Sequence, residues 1–392
     1  YNPKDIILLS FFVFGLFYNI KFLILNNNKN IFFAAFFAAL IADIRIVGIY
    51  FPLVTIFFIL FNTSNKNSLK NKIIYSVKYI FIFSITLILF WPFLWENGIY
   101  NLFIAVKEFK NYPWPGETLF LGEYIRAKFV PWYYFFIWFV ITTPVLFVFV
   151  FLSGFFLIIK NLLNNLINIE KIKYNNLWKN QNEMISIYIL SLFVVPIFSI
   201  ILFNSTLYTG WRQLYFLYPA IILLGLYFIQ FIKFNLKNLY KIILIFLWIQ
   251  ISFNLIFLVK NHPHQYIYFN FISKKFVSGN FAFDYWGVSN HKTLEYLLGQ
   301  DLPNYPLKIS SASFTDLNKT KLIMDQNLSN KFIFNEGDHQ DSDFIFTNYY
   351  YLSNPIYNKK RYKIPENFES YYELKIDGAI INKLYINTLK FN

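Results

Sequence analysis

The sequence predicts a mainly α, polytopic membrane protein with about eight transmembrane helices and a small C-terminal α/β domain. Three observations lead there. Of 392 residues, 57% are hydrophobic and only 14% charged, against about 45–50% and 25% in soluble domains. The apolar residues come in long runs separated by short polar breaks. Charge is also unevenly divided: residues 1–260 hold 21 Lys/Arg and 8 Asp/Glu, whereas 261–392 hold 14 and 13 together with all four His. A multi-span domain is therefore expected over 1–260 and a water-facing domain over 261–392.

The expected spans are roughly 5–25, 31–46, 48–62, 74–93, 131–158, 185–204, 214–232 and 241–259. A span needs about 20 apolar residues. The second and third are short, so 31–61 reads as a tight hairpin turning near Arg45–Gly48. The fifth is long and carries Pro144, which predicts a kink or tilt. Lysines without acids at 63–73 and 233–241, and in excess at 159–184, put those loops on the cytoplasmic side. The charge-balanced 94–130 loop then faces outward, as do 205–213, Tyr1–Asp5, Arg45 and the tail. Within that outer loop Ile99, Leu102, Phe103, Val106 and Phe109 recur at helical spacing. They fit either a helix lying in the membrane interface or packing against the bundle. Trp91, Trp95, Trp114 and Trp132 bracket the loop as an aromatic belt does.

After about 261 the pattern changes. Short apolar runs at Leu307–Ser310, Lys321–Met324, Lys331–Phe334 and Asp343–Thr347 alternate with Asn, Asp and Gly turns. Thr293–Leu298 reads as a helix. Tyr371–Ile376 and Ile380–Ile386 flank Asp377-Gly378, a hairpin signal.

The net charge of +14 reads as membrane topology and not as a nucleic-acid footprint. With no Cys, disulfide and thiol chemistry are excluded. No phosphate-binding glycine loop, nucleophile-elbow serine or zincin pattern is present.

Four polar tracts remain, all on the outer face by this topology: Tyr1–Asp5, Ala42–Arg45, Gly210–Gln213 and His262–Gln265. Asp5 beside Lys4 fits an acid favoured by a helix N-terminus, or one that steers an acceptor hydroxyl or a metal-bridged phosphate. Arg45 follows Asp43 in apolar sequence. It either snorkels to the interface or belongs to a functional charge pair. Arg212 lies among Tyr208, Trp211, Tyr215 and Tyr218. It fits a lipid-phosphate contact as well as an interfacial anchor. His262 and His264 supply two metal ligands at most, or a polar turn around Pro263.

Taken together, several tracts resemble bacterial membrane glycosyltransferases of the GT-C type, related to protein O-mannosyltransferases and aminoarabinose transferases. The tracts are Asn2-Pro-Lys-Asp5 before a span and Ile44-Arg-Ile-Val-Gly48 after a small-residue-rich span. They continue with Phe120-Leu-Gly122, Pro131-Trp-Tyr133 and Thr142-Thr-Pro144. Gly210-Trp-Arg212 precedes Tyr215-Phe-Leu-Tyr-Pro219. His262-Pro263 precedes Gln265-Tyr-Ile-Tyr-Phe-Asn270, and Phe283-Asp-Tyr-Trp-Gly-Val-Ser289 closes the series.

The resemblance implies an inverting transfer of a sugar from a polyprenyl-phosphate donor to an acceptor outside the inner (plasma) membrane, with the C-terminal domain extracytoplasmic. Arg212 and Lys4 would hold the donor phosphate, Asp5 would act as a supporting acid and Arg45 would orient it. His262, Gln265 and Asp284 would touch the acceptor or couple the tail to the site. Some members bind a divalent metal; no other cofactor is implied. In the family an acidic first outer loop precedes the segment matching Tyr1–Phe17. The chain is accordingly expected to lack its main base and to be inactive alone. Two rival readings are a polysaccharide ligase or polymerase using lipid-diphosphate glycans, and a non-catalytic transporter. Transporters tend to place charges at the membrane midplane, whereas here they gather at one rim.

Overall fold

The computed structural model describes residues 3–62, 68–110, 112, 114–167, 178–208, 210–302, 305–335 and 338–391. These form two compact units that interleave in sequence. The first comprises residues 1–113, 145–207 and 211–247; the second comprises 114–144, 208–210 and 248–392.

The first unit is helical. It holds α1 (Pro3–Leu25), α2 (Asn28–Ile44), α3 (Tyr50–Phe61), α4 (Leu69–Phe90) and α5 (Gly98–Lys110). In the second unit α6 (Tyr134–Thr142) follows. The first then continues with α7 (Val145–Ile167), α8 (Gln181–Leu202), α9 (Tyr218–Asn235) and the first half of α10 (Lys237–Lys260). Among the described residues six helices are long and apolar enough to cross a membrane: α1, α4, α7, α8, α10 and Arg212–Asn235. The expected second and third spans fall short, as α2 has 17 residues and the apolar helical stretch Ile46–Phe61 is likewise below that length.

The bundle core follows from side-chain spacing. Leu8, Phe12, Leu16, Asn19 and Phe22 recur every three or four residues on α1 and are buried. They meet α2, whose Ala34, Ala35, Ala38, Ala39 and Ala42 let the backbones approach. At the α7–α9 contact Gly154 has no substitute, because a Cβ there would lie 1.9 Å from the Leu224 carbonyl oxygen. Several buried polar groups pair across helices. Tyr79 donates to Asn19 at 3.0 Å, and Thr55 and Tyr188 share a bond of 2.9 Å.

The expected fifth span is corrected. It is not one kinked helix over 131–158 but two, α6 and α7. Thr143 is extended (ψ 139°) because the following Pro144 disfavours helical geometry, and Pro144 has no N–H to continue the ladder. The carbonyls of Val140 and Thr143 accept instead from the Asn270 side chain, at 2.6 and 3.0 Å.

In α5 the apolar stripe divides. Leu102 packs towards Leu87 and Leu94, while Ile99, Phe103 and Val106 stand exposed.

The second unit also carries a hairpin, β1 (Glu117–Phe120) with β2 (Glu123–Arg126), which was not anticipated. It closes at Leu121-Gly122, both at positive φ. Beyond α10 come α11 (Lys274–Val277), α12 (Ser289–Leu298), β3 (Leu307–Ser311), α13 (Leu317–Lys321), α14 (Gln326–Ser329), β4 (Phe332–Asn335), β5 (Phe344–Thr347), α15 (Lys359–Tyr362), β6 (Phe368–Ile376) and β7 (Ala379–Asn387). The sheet order is β4-β3-β5-β7-β6, with β3 parallel to β4 and β5 and the rest antiparallel. β5 is buried throughout, as its continuous apolar sequence requires. Leu294 and Leu297 of α12 cover one side with Leu307, Ile309, Phe332, Phe344 and Leu384. Of the short apolar runs, Lys321–Met324 is not a strand: Asp316 caps α13 by accepting from Asn318 N–H, the helix runs to Lys321, and Leu322 and Ile323 are exposed in a turn.

Candidate functional site: a carboxylate held by two arginines

Asp5 lies in the first turn of α1, where the helix dipole favours a negative charge, and is 7% exposed. Arg45 reaches it because α2 ends there. Arg45 is extended (φ −144°, ψ 123°), and Gly48 N–H then donates to the Arg45 carbonyl at 2.7 Å. Only glycine fits at 48, since a Cβ would stand 2.7 Å from the backbone of Ile41. Arg45 Nη2 binds Asp5 Oδ1, and its Nη1 donates to the Gln213 carbonyl at 2.6 Å. Arg212, at the start of the 3-10 turn Arg212–Leu217, places Nε 3.6 Å from Asp5 Oδ2. Asp5, Arg45 and Arg212 thus converge within the first unit, two guanidiniums around one carboxylate. Lys4 is exposed beside them.

This cluster has a positive excess in a largely buried setting, where an arginine fork binds an anion more strongly than in water. Sequence reasoning missed Gln213. Its carbonyl anchors Arg45, and both polar atoms of its side-chain amide are buried without a partner among the described residues. A polar residue directly after Arg212 was the only signal. Trp211, Tyr215 and Tyr218, close to Arg212 in sequence, pack on one another, with Trp211–Tyr218 and Tyr215–Tyr218 centroids 6.0 and 5.8 Å apart. Tyr208 belongs to the second unit, where it stacks on Trp114 at 4.4 Å.

One turn beyond Asp5 begins an apolar groove of about 690 Å³. It runs along α1 from Leu9 past Val13, Phe17 and Ile20 to Leu25, with Tyr218, Pro219, Ile222 and Leu223 of α9 opposite.

His262, Gln265 and Asp284 lie in the second unit. Gln265 donates to the Leu258 carbonyl at 3.1 Å, satisfying a C-terminal group of α10, and lies 2.8 Å from His262 Nδ1. Asp284 is wholly buried. It accepts from the Tyr266 hydroxyl at 2.8 Å, the Val288 and Ser289 N–H groups at 3.0 Å each, the Ser289 hydroxyl and the Asn348 amide at 3.3 Å. Burial, reinforced by Asp284, pushes the Tyr266 phenol far up. Burial also pushes the His264 imidazole below its ordinary value. Among the described residues no three of His, Asp and Glu gather as metal ligands. Comparisons with protein-family models, with curated proteins and with solved structures return no match.

Proposed function

We propose that this chain takes part in transferring a sugar from a polyprenyl-phosphate carrier to an acceptor at the outer face of the inner membrane. The observation that carries this reading is the Asp5–Arg45–Arg212 cluster at the head of an apolar groove. A lipid phosphate needs both parts: guanidiniums for its oxygens and an apolar channel for its chain. Exposed Ile99, Phe103 and Val106 on α5 support a helix at the membrane surface.

In such a transfer the acceptor oxygen bonds to the anomeric carbon as the carbon–oxygen bond to phosphate breaks; the bonding pair leaves with the phosphate, and the acceptor's proton passes to the released phosphate or to water. Arg212, with Lys4 and the Gln213 amide, neutralises the departing oxygens. Arg45 holds Asp5, which orients the acceptor; were a divalent cation bound, Asp5 would be the residue to ligate it and the ion would add to charge neutralisation. A phosphate leaving group needs little protonation, so positioning and charge carry the chemistry.

The test is binding. Purified protein in detergent should bind a polyprenyl monophosphate and discriminate against the corresponding polyprenol. Arg212→Ala should weaken phosphate binding roughly tenfold or more, the scale of one charge-assisted contact. Equal binding of phosphate and alcohol, or an unchanged Arg212→Ala variant, rejects the reading.

A further inference from the structure

At the far end of α9 from Arg212 lies a second cavity, of about 430 Å³, between the ends of α7, α8 and α9. Arg212–Asn235 has 24 residues, and helix rise puts the two ends about 35 Å apart, close to a bilayer's thickness. The lining is unlike that of the apolar groove. Its lining includes the amide residues Asn161, Asn182 and Gln230, the phenol residue Tyr227 and the basic residue Lys179.

The walls are already built. Asn161 donates to the Tyr227 hydroxyl at 3.0 Å, tying α7 to α9. Glu183 is locked by Asn165 at 3.0 Å on one oxygen and by Lys179 N–H at 2.5 Å on the other. Asn180 caps α8 by accepting from Glu183 N–H at 2.9 Å. Among the described residues the only carboxylate lining the cavity is therefore engaged by backbone and amide donors. The other polar lining residues among those described are neutral groups that both donate and accept, together with Lys179. Exposed Phe231 and Phe234 stand at its edge.

We infer that this cavity is a binding site for a glycerophosphate headgroup, supplied by a membrane lipid of the leaflet opposite the Asp5 cluster. Glycerol hydroxyls match the amides of Asn182 and Gln230 and the Tyr227 phenol. The phosphate matches Lys179, and the acyl chains lie along Phe231 and Phe234. The volume falls within the roughly 300–1,000 Å³ range of small-ligand sites. The inference does not depend on the transferase reading.

The test uses the purified 392-residue chain in a zwitterionic detergent and native mass spectrometry. Phosphatidylglycerol should be retained roughly tenfold better than phosphatidylcholine. The double variant Asn182→Leu/Gln230→Leu alters two exposed positions and should abolish that preference while keeping the unfolding temperature. Competition by soluble glycerol 3-phosphate supports the headgroup chemistry. Binding of glycerol 3-phosphate without phosphatidylglycerol keeps the site but reassigns its source to a soluble ligand. Equal retention of the two lipids with no glycerol 3-phosphate binding overturns the inference, as does an unaltered preference in the double variant.

Discussion

Asp5 and Arg45, 40 residues apart in sequence, form an ion pair with side-chain exposures of only 9% and 17%. The pair joins the first turn of α1 to the end of α2, and through Arg45 to the Gln213 carbonyl it also fixes the turn that bears Arg212. Removing Asp5 leaves two guanidiniums without their carboxylate, and removing Arg45 leaves Asp5 only the longer contact to Arg212 and frees the turn that bears it.

Arg45→Ala should therefore destabilise the protein by about 2–4 kcal/mol, below the fully buried extreme because both groups retain some exposure. Asp5→Asn combined with Arg45→Gln should recover part of that loss. Thermal unfolding in detergent across the double-mutant cycle reads the coupling. Additive losses would show that the two side chains act separately.

Gln213→Leu should separate binding from stability. The amide has no protein partner to lose among the described residues, so its removal should leave the unfolding free energy within about 0.5 kcal/mol of the parent. Affinity for a polyprenyl phosphate should fall by several-fold. A drop in stability with intact affinity would make Gln213 a structural group only.

Gly154→Leu should break the α7–α9 contact. Even a methyl group would collide with the Leu224 carbonyl, which is backbone and has little room to move. The expected cost is about 3 kcal/mol or more, read as a lower unfolding temperature and a broadened size-exclusion profile. A neutral result would mean that the two helices separate without penalty.

His339 should make the second unit sensitive to acid. Its Nδ1 lies 2.7 Å from Ser310 Oγ and its Nε2 3.0 Å from the Arg361 carbonyl. That pattern uses the neutral ring, with the tautomer assigned from the network: Ser310 donates to Nδ1 and Nε2–H donates to the carbonyl. Burial pushes the imidazole below its ordinary value of 6.5, and the Arg361 carbonyl and Asp338 only partly oppose it. The unfolded chain therefore binds the proton more readily. The stabilisation is complete above about pH 6.5 and is lost as pH falls through the lower folded value. Tryptophan fluorescence during denaturation between pH 7.5 and about 5 should show this slope, and His339→Gln should flatten it. His264, also pushed down by burial, contributes in the same direction, so a residual slope in the variant is expected.

Much of the architecture follows from local pattern. The apolar runs of α1, α4, α8, α9 and α10, and the β6–β7 hairpin at Asp377-Gly378, depend on residues close in sequence. The break between α6 and α7 was also written locally, in Thr143-Pro144, although its outcome required Asn270 to take the released carbonyls. The β1–β2 hairpin was illegible because Leu121 adopts positive φ, which a Leu-Gly pair does not advertise. Lys321–Met324 is a short apolar run like those that form strands, but it follows a helix that Asp316 caps and ends in a turn.

The sequence by itself determined which residues are apolar, where helices must stop and that Asp5, Arg45 and Arg212 sit near span ends. Only the tertiary structure decided that these three meet on one carboxylate, that Gln213 joins them and that β3 lies between β4 and β5. Turns and helix ends are governed by neighbours a few residues away. Ion pairs and strand order are governed by packing between segments tens to hundreds of residues apart, which no local pattern records.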